Sequence, residues 1–162
     1  MEQKEKQMHE RTEAWTWDKT FMEMAKLIAN RSKDPSRQVG SVIVKDNHIL
    51  SLGYNGAPKG FPDEDFPWGK ESDNPLETKY LFVVHAERNA ILNTSIISEL
   101  KGGTLYTTLY PCNECAKELI QVGIKEVVYL GDPNSMPQEV IEASRIMLEK
   151  TNVVLRKYEE AE

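Results

Sequence analysis

Two cysteines and three histidines are all that 162 residues supply of the softer metal ligands. So few cysteines exclude a disulfide framework as the device that holds the fold together. No apolar run approaches the roughly 20 residues needed to span a bilayer. The segment from Met1 to Glu13 is strongly charged and lacks the apolar centre of a signal peptide. Positive charge is also scarce: 20 Lys and Arg face 26 Asp and Glu, for a net charge of −6. A surface that gains affinity by neutralising many phosphates is therefore not expected. Neither a nucleic acid nor a membrane is an expected partner, and the expected location is the cytoplasm. The length suits one well-packed domain and is short for two.

What the chain does have is concentrated in two short motifs, His85-Ala86-Glu87 and Pro111-Cys112-Asn113-Glu114-Cys115. Zinc accepts histidine nitrogen and cysteine sulfur in a tetrahedron, and a catalytic site keeps one position open for water. His85, Cys112 and Cys115 make three ligands. His9 lies in the charged N-terminal arm and His48 directly follows a tight Asp46-Asn47 turn, so neither is an expected fourth. Glu87 is two residues from His85, and residues two apart on a helix do not share a face. It is better placed to reach over a metal-bound water than to bind the ion. A lone Cys-x-x-Cys could instead be a redox pair or half of a structural zinc site. The first would not explain His-x-Glu, and the second normally shows four protein ligands. The joint pattern matches the signature of the zinc deaminases.

Local patterning sets these motifs on elements. Thr104–Leu109 is β-branched and aromatic and reads as a strand ending before Pro111. From Cys112 the pattern turns helical through Ala116, Leu119 and Ile120 to a stop at Gly123, and a second helix opens at His85 after the apolar run 80–84. Helix N-termini stabilise thiolates. Earlier, a helix starts near Asp18 as N-cap, with Phe21, Met24, Ala25, Ile28 and Ala29 as its stripe. Val39–Val44 and Ile49–Leu52 form a hairpin through Asp46-Asn47. A strand over 126–130, a helix over 137–149 and a strand over 153–158 follow. Hairpin and then strand–helix–strand units imply a mixed sheet with helices on both faces. The stretch from Gly53 to about Thr78 breaks this rhythm with four prolines and three further glycines. Phe61, Phe66 and Trp68 mark it as an ordered loop that either binds something or anchors itself on the body.

With these residues in view, the chain resembles the deoxycytidylate (dCMP) deaminase family from about Trp17 to Tyr158. The zinc motifs alone fit many deaminases. The narrowing stretches are Arg31-Ser32-Lys33-Asp34-Pro35 with Gln38-Val39-Gly40, and Gly53-Tyr54-Asn55-Gly56 with Pro58 and Gly60. Further matches are Pro67-Trp68, Thr78-Lys79-Tyr80, Asn89-Ala90-Ile91 and the run 123–127. The resemblance implies an α/β, three-layer α/β/α cytidine-deaminase-like fold with a central mixed five-stranded sheet. It implies a single deaminase domain over 15–158, flanked by a flexible arm at 1–14 and an acidic tail at 159–162. The activity implied is hydrolysis of dCMP to dUMP and ammonia, supplying dUMP for dTMP synthesis.

Carried onto this chain, the resemblance makes Glu87 the catalytic proton carrier and His85, Cys112 and Cys115 the ligands of one zinc per subunit. Asn55 and Ala86 would contact the nucleotide. Arg31 and Lys33 are candidates for the 5′-phosphate, with an ordinary solvated helix end as the alternative. Tyr54, Gly56, Lys59 and Gly60 would bind an effector, dCTP as activator or dTTP as inhibitor, with Mg2+ accompanying the triphosphate. Family members are commonly homohexamers. Two departures stand out: Arg88 replaces the apolar residue of many relatives, and Phe61-Pro62 stands where relatives often have Cys-Ser, which leaves one zinc. Rival readings are a deaminase of dCTP or deoxycytidine, a tRNA adenosine deaminase, and a non-enzymatic zinc-binding module.

Overall fold

The computed structural model describes residues 8–160. The expected arm at 1–14 and tail at 159–162 fall partly outside the described residues. Nine regular elements follow in order: α1 (Trp17–Ala29), β1 (Gly40–Lys45), β2 (His48–Tyr54), α2 (Ala86–Leu92), β3 (Thr104–Leu109), α3 (Asn113–Gln121), β4 (Glu126–Gly131), α4 (Gln138–Lys150) and β5 (Val154–Lys157). The strands form one sheet in the order β2-β1-β3-β4-β5. β1 runs antiparallel to β2 and β3, whereas β3, β4 and β5 are parallel. The mixed five-stranded sheet is thus as expected.

The hairpin turn explains the register of β1 and β2. Asp46 and Asn47 both take positive φ, 51° and 59°, the conformation that two-residue primed turns require and that Asp and Asn tolerate. Along the strands, alternate side chains then serve two cores. Ile43, Leu105 and Val127 meet Ala90 and Ile91 of α2, Ala116 and Leu119 of α3, and Leu148 of α4. Val42, Val44, Tyr106 and Val128 meet Phe21, Met22 and Ala25 of α1. Helices therefore cover both faces, giving the three layers.

Two details of α1 differ from the sequence expectation. The N-cap is Thr16, whose hydroxyl accepts the Lys19 N–H at 3.1 Å. Asp18 already lies in the first helical turn, and its carboxylate goes to Arg156 and Tyr106 instead. The buried stripe is Phe21, Met22, Ala25 and Ala29, with Met22 fully enclosed and Met24 only packed at its edge. The long segment after β2 is an ordered loop with three single 3-10 turns, at Asp63–Asp65, Pro75–Glu77 and Lys79–Leu81. Phe66 lies against Trp68 at a tilt of 48° with ring centres 4.3 Å apart and meets Phe61 edge-on at 5.2 Å. Reciprocal backbone bonds between Gly56 and Val84 close the loop against the start of α2.

Gly53 sits where β2 passes under α2. A Cβ there would collide with the backbone of Ala86 and Ala90, so glycine is what lets the helix lie directly on the strand. No described helix is long and apolar enough to cross a membrane.

Candidate active site

His85 and Cys112 occupy equivalent places: each is the N-cap residue of a short helix, with extended ψ of 156° and 170°. Cys112 comes just after the end of β3, whereas His85 follows a 3-10 turn at Lys79–Leu81 and the bridge between Val84 and Gly56; each segment then turns sharply into its helix. Pro111, fully buried, fixes the approach to Cys112, and its carbonyl accepts Ser144 Oγ of α4 at 2.8 Å. The Cys112 sulfur accepts the backbone N–H of Cys115 at 3.4 Å. One helical turn then brings the Cys115 sulfur alongside.

The result is a compact donor set. His85 Nδ1 lies 3.3 Å from Cys115 Sγ and 3.4 Å from Cys112 Sγ, and the three donor atoms fall within 4.8 Å of one another. Tetrahedral zinc, with bonds of about 2.3 Å to sulfur and about 2.0 Å to nitrogen, puts neighbouring donors about 3.5–3.8 Å apart. The residues therefore fit zinc in both chemistry and spacing. Cys115 is buried, Cys112 half-buried and His85 exposed, so the donor set is graded from the core outward.

The electrostatics point the same way. The bond from the Cys115 thiol, opposed by burial and helped by His85, pulls the Cys112 thiol down to about 4. The same bond, with burial and the nearby Glu87, pushes the Cys115 thiol well up. The bond to Cys112, opposed by burial, in turn raises the imidazole of His85. A divalent cation reverses this logic and favours two thiolates and a neutral imidazole.

Glu87 points into the same place from the first turn of α2, only 4% exposed. Burial raises its carboxyl above the ordinary carboxylate range, with the His85 charge opposing. Its Oε2 lies 3.6 Å from Cys115 Sγ and its Oε1 accepts from Thr107 Oγ1 at 3.3 Å. It stands beside the ligands without joining the donor set, as its spacing from His85 requires.

These groups open on a cavity of about 460 Å3, lined also by Asn55, Ala86, Arg37, Lys70, Lys79 and Tyr110. Asn55 is a wall of this cavity, but its amide is occupied with the chain. Oδ1 accepts Val39 N–H at 2.8 Å, and Nδ2 donates to the Arg37 carbonyl at 3.0 Å and to Asp34 Oδ2 at 3.4 Å. Asp34 is buried, pairs with Lys79 Nζ at 2.5 Å, and accepts the N–H groups of Ser36 and Arg37. This fastening presents Ser36 and Arg37 at the cavity wall. The link from Asp34 to Lys79, 45 residues away, carried no local signal in the sequence.

Arg31 and Lys33 do not line this cavity. They line a second one of about 360 Å3, together with Tyr54, Gly56, Lys59 and Gly60. Lys33 is there engaged by Asp63 at 2.5 Å. Asn89 and Asn93, from α2 and its C-cap, line the second cavity too, and Asn89 Nδ2 holds the Tyr54 carbonyl at 2.7 Å. The two expected groups of site residues thus fall in separate cavities joined by α2, with Arg31 and Lys33 beside Tyr54, Gly56, Lys59 and Gly60.

Comparison with known proteins identifies the family. Residues 15–131 match the family model for the cytidine and deoxycytidylate deaminase zinc-binding region. The chain is 46% identical over 143 residues to mouse deoxycytidylate deaminase, covering 88% of this chain and 79% of that one. It is 47% identical over 161 residues to a probable deoxycytidylate deaminase of Drosophila melanogaster, covering 96% and 78%. Among solved structures, the dCMP deaminase of cyanophage S-TIM5 in complex with dCMP and dUMP superposes with a TM-score of 0.68 at 26% identity, covering 93% of this chain and all of that one. The chain belongs to the cytidine and deoxycytidylate deaminase family.

Proposed function

We propose that this protein hydrolytically deaminates dCMP to dUMP and ammonia. The observation that carries this is one buried carboxylate, Glu87, beside a three-donor metal site at the floor of a nucleotide-sized cavity. His85, Cys112 and Cys115 would hold zinc, whose Lewis acidity would lower the pKa of a bound water to about 7. Glu87 takes a proton from the attacking water and delivers it to ring nitrogen N3, which makes C4 electrophilic. It then takes the second proton, from the hydroxyl now on C4, and passes it to the amino group, which leaves as ammonia when the C4–N bond breaks. Its burial suits both roles, since a raised carboxyl pKa holds a transferred proton more readily. Asn55 and Ala86 form the wall against which the base and sugar would lie.

Placement shifts the phosphate assignment. Arg37 and Lys70 line the metal-site cavity, and among the described residues neither side chain has an ion-pair partner. They are better placed for the 5′-phosphate than Arg31 and Lys33. The second cavity, with Arg31, Lys33 and Lys59 on its walls, suits a polyanion such as a deoxynucleoside triphosphate, brought in with Mg2+. In this reading dCTP activates and dTTP inhibits, and α2 connects the effector cavity to Glu87. A cytoplasmic homohexamer completes the proposal.

The test is a turnover panel over dCMP, dCTP, CMP and deoxycytidine, with and without dTTP. The expected result is dCMP turnover far above that of deoxycytidine, and saturation curves displaced by dCTP and dTTP. Equal rates on nucleotide and nucleoside would overturn the phosphate recognition, and curves indifferent to both triphosphates would overturn the effector site.

A further inference from the structure

Thr107 and Ser41 are fully buried hydroxyl residues on β3 and β1, directly opposite one another in the sheet register. By strand alternation Thr107 shares the face of Leu105, and Ser41 that of Ile43, both packed in the core beneath α2 and α3. Packing alone would be served there by valine and alanine. Burying two hydroxyls costs free energy unless their protons and lone pairs find partners. They do, in a directed chain: Ser41 Oγ donates to Thr107 Oγ1 at 3.0 Å, and Thr107 Oγ1 donates to Glu87 Oε1 at 3.3 Å. A hydroxyl has one proton to give, so the chain ends on the carboxylate.

We propose that Thr107, backed by Ser41, is a positioning residue that fixes the carboxylate plane of Glu87. Oε1 is anchored to the sheet, and Oε2 is left facing the metal-ligand side, where Cys115 Sγ lies 3.6 Å away. A carboxylate that must take a proton at one site and release it at two others gains from being held by one oxygen only. Neither hydroxyl lines the cavity, so neither touches substrate, and their effect passes through Glu87. The inference rests on Glu87 being the proton carrier.

The experiment compares Thr107→Val, which keeps the shape and removes the donor, with Thr107→Ser, which keeps the donor and removes a methyl. Both are measured beside Ser41→Ala for kcat and KM on dCMP, zinc content and Tm. Thr107→Val is expected to lower kcat about tenfold, the equivalent of one oriented contact, with KM and zinc content unchanged. Thr107→Ser should recover most of the rate. Ser41→Ala, which leaves the Thr107 volume intact, should lower kcat about threefold. Equal losses in Thr107→Val and Thr107→Ser would assign the effect to packing and overturn the proposal. So would wild-type kcat in Thr107→Val, or in Ser41→Ala should Thr107→Val not fold. A wild-type enzyme inactive on every cytosine nucleotide would instead overturn the deaminase reading itself.

Discussion

Arg88 on α2 donates through Nε to Glu118 Oε2 on α3 at 3.0 Å, and a second guanidinium nitrogen reaches the other carboxylate oxygen. Arg88 follows His85 by three residues and Glu118 follows Cys115 by three. That spacing puts Arg88 on the His85 side of α2 and Glu118 on the Cys115 side of α3, so the pair clasps the two helices that present the donor set. An apolar residue at position 88 would need an apolar partner at 118. This chain instead has two matched charges, in the bidentate geometry that makes arginine pairs specific.

Removing one partner should therefore loosen the metal site. Both side chains are partly exposed, at 42% and 32%, so Arg88→Leu or Glu118→Leu alone should cost about 0.5–1 kcal/mol of stability. Zinc release to a chelator should rise about two- to fivefold, the same increment expressed as a rate. The double change to leucine should recover part of both losses, because it removes the unpaired charge. Chelator-release kinetics on the four proteins measure this, and single variants that release zinc at the wild-type rate would confine the pair to surface electrostatics.

Glu87→Gln separates metal binding from proton transfer. Glutamine keeps the shape and the acceptor for Thr107 but cannot carry a proton at neutral pH. Zinc content should stay at one per chain while dCMP turnover falls by at least about 10²-fold, the usual contribution of a positioned acid–base group. Elemental analysis beside steady-state rates checks it, and loss of zinc in step with activity would make Glu87 part of the metal site.

The donor set of His85, Cys112 and Cys115 and the place of Glu87 beside it were legible because each depends on a local rule: donors at a helix N-cap and one turn on, with the carboxylate in the first turn. The sheet was legible from alternation and from the Asp46-Asn47 turn. Less was visible where an outcome depends on distant partners. The cap of α1 went to Thr16 because backbone conformation, not residue rank, decides which side chain reaches the free N–H groups. Arg31 and Lys33 share a motif with Asp34, yet Asp34 turns inward to Lys79 while the cations face the other cavity. The order of the loop over 55–78 comes from contacts among Phe61, Phe66, Trp68 and Phe82, which composition suggested without giving their arrangement.

The two cavities make distinct predictions for cations. Arg37→Ala should raise KM for dCMP about tenfold, as loss of a charge-assisted contact implies, and leave deoxycytidine kinetics unchanged. Arg31→Ala should leave both unchanged in the absence of effectors and weaken the response to dCTP and dTTP. A KM rise for dCMP in Arg31→Ala, with none in Arg37→Ala, would return the phosphate to Arg31.

Asp18 carries a pH prediction of defined sign. Its carboxylate accepts Arg156 Nη1 at 2.6 Å and the Tyr106 hydroxyl at 2.6 Å, joining the start of α1 to β5 and β3. The Arg156 bond, opposed by burial and helped by Tyr106, holds this carboxyl below its ordinary value of 3.8. A folded-state pKa lowered below the unfolded one means that the folded state binds fewer protons, so stability rises with pH across that window. The contribution is therefore complete above the unfolded value and is lost as pH falls through the folded one. Asp18→Asn keeps the shape and removes the charge, leaving Arg156 with Glu126 at 3.4 Å. The Tm of the variant should lie below that of the wild type at neutral pH, and the gap should narrow below about pH 4. Thermal unfolding of both proteins across this range measures it. A gap that stays constant into acid would place the loss in packing around Tyr106 rather than in the charge of Asp18.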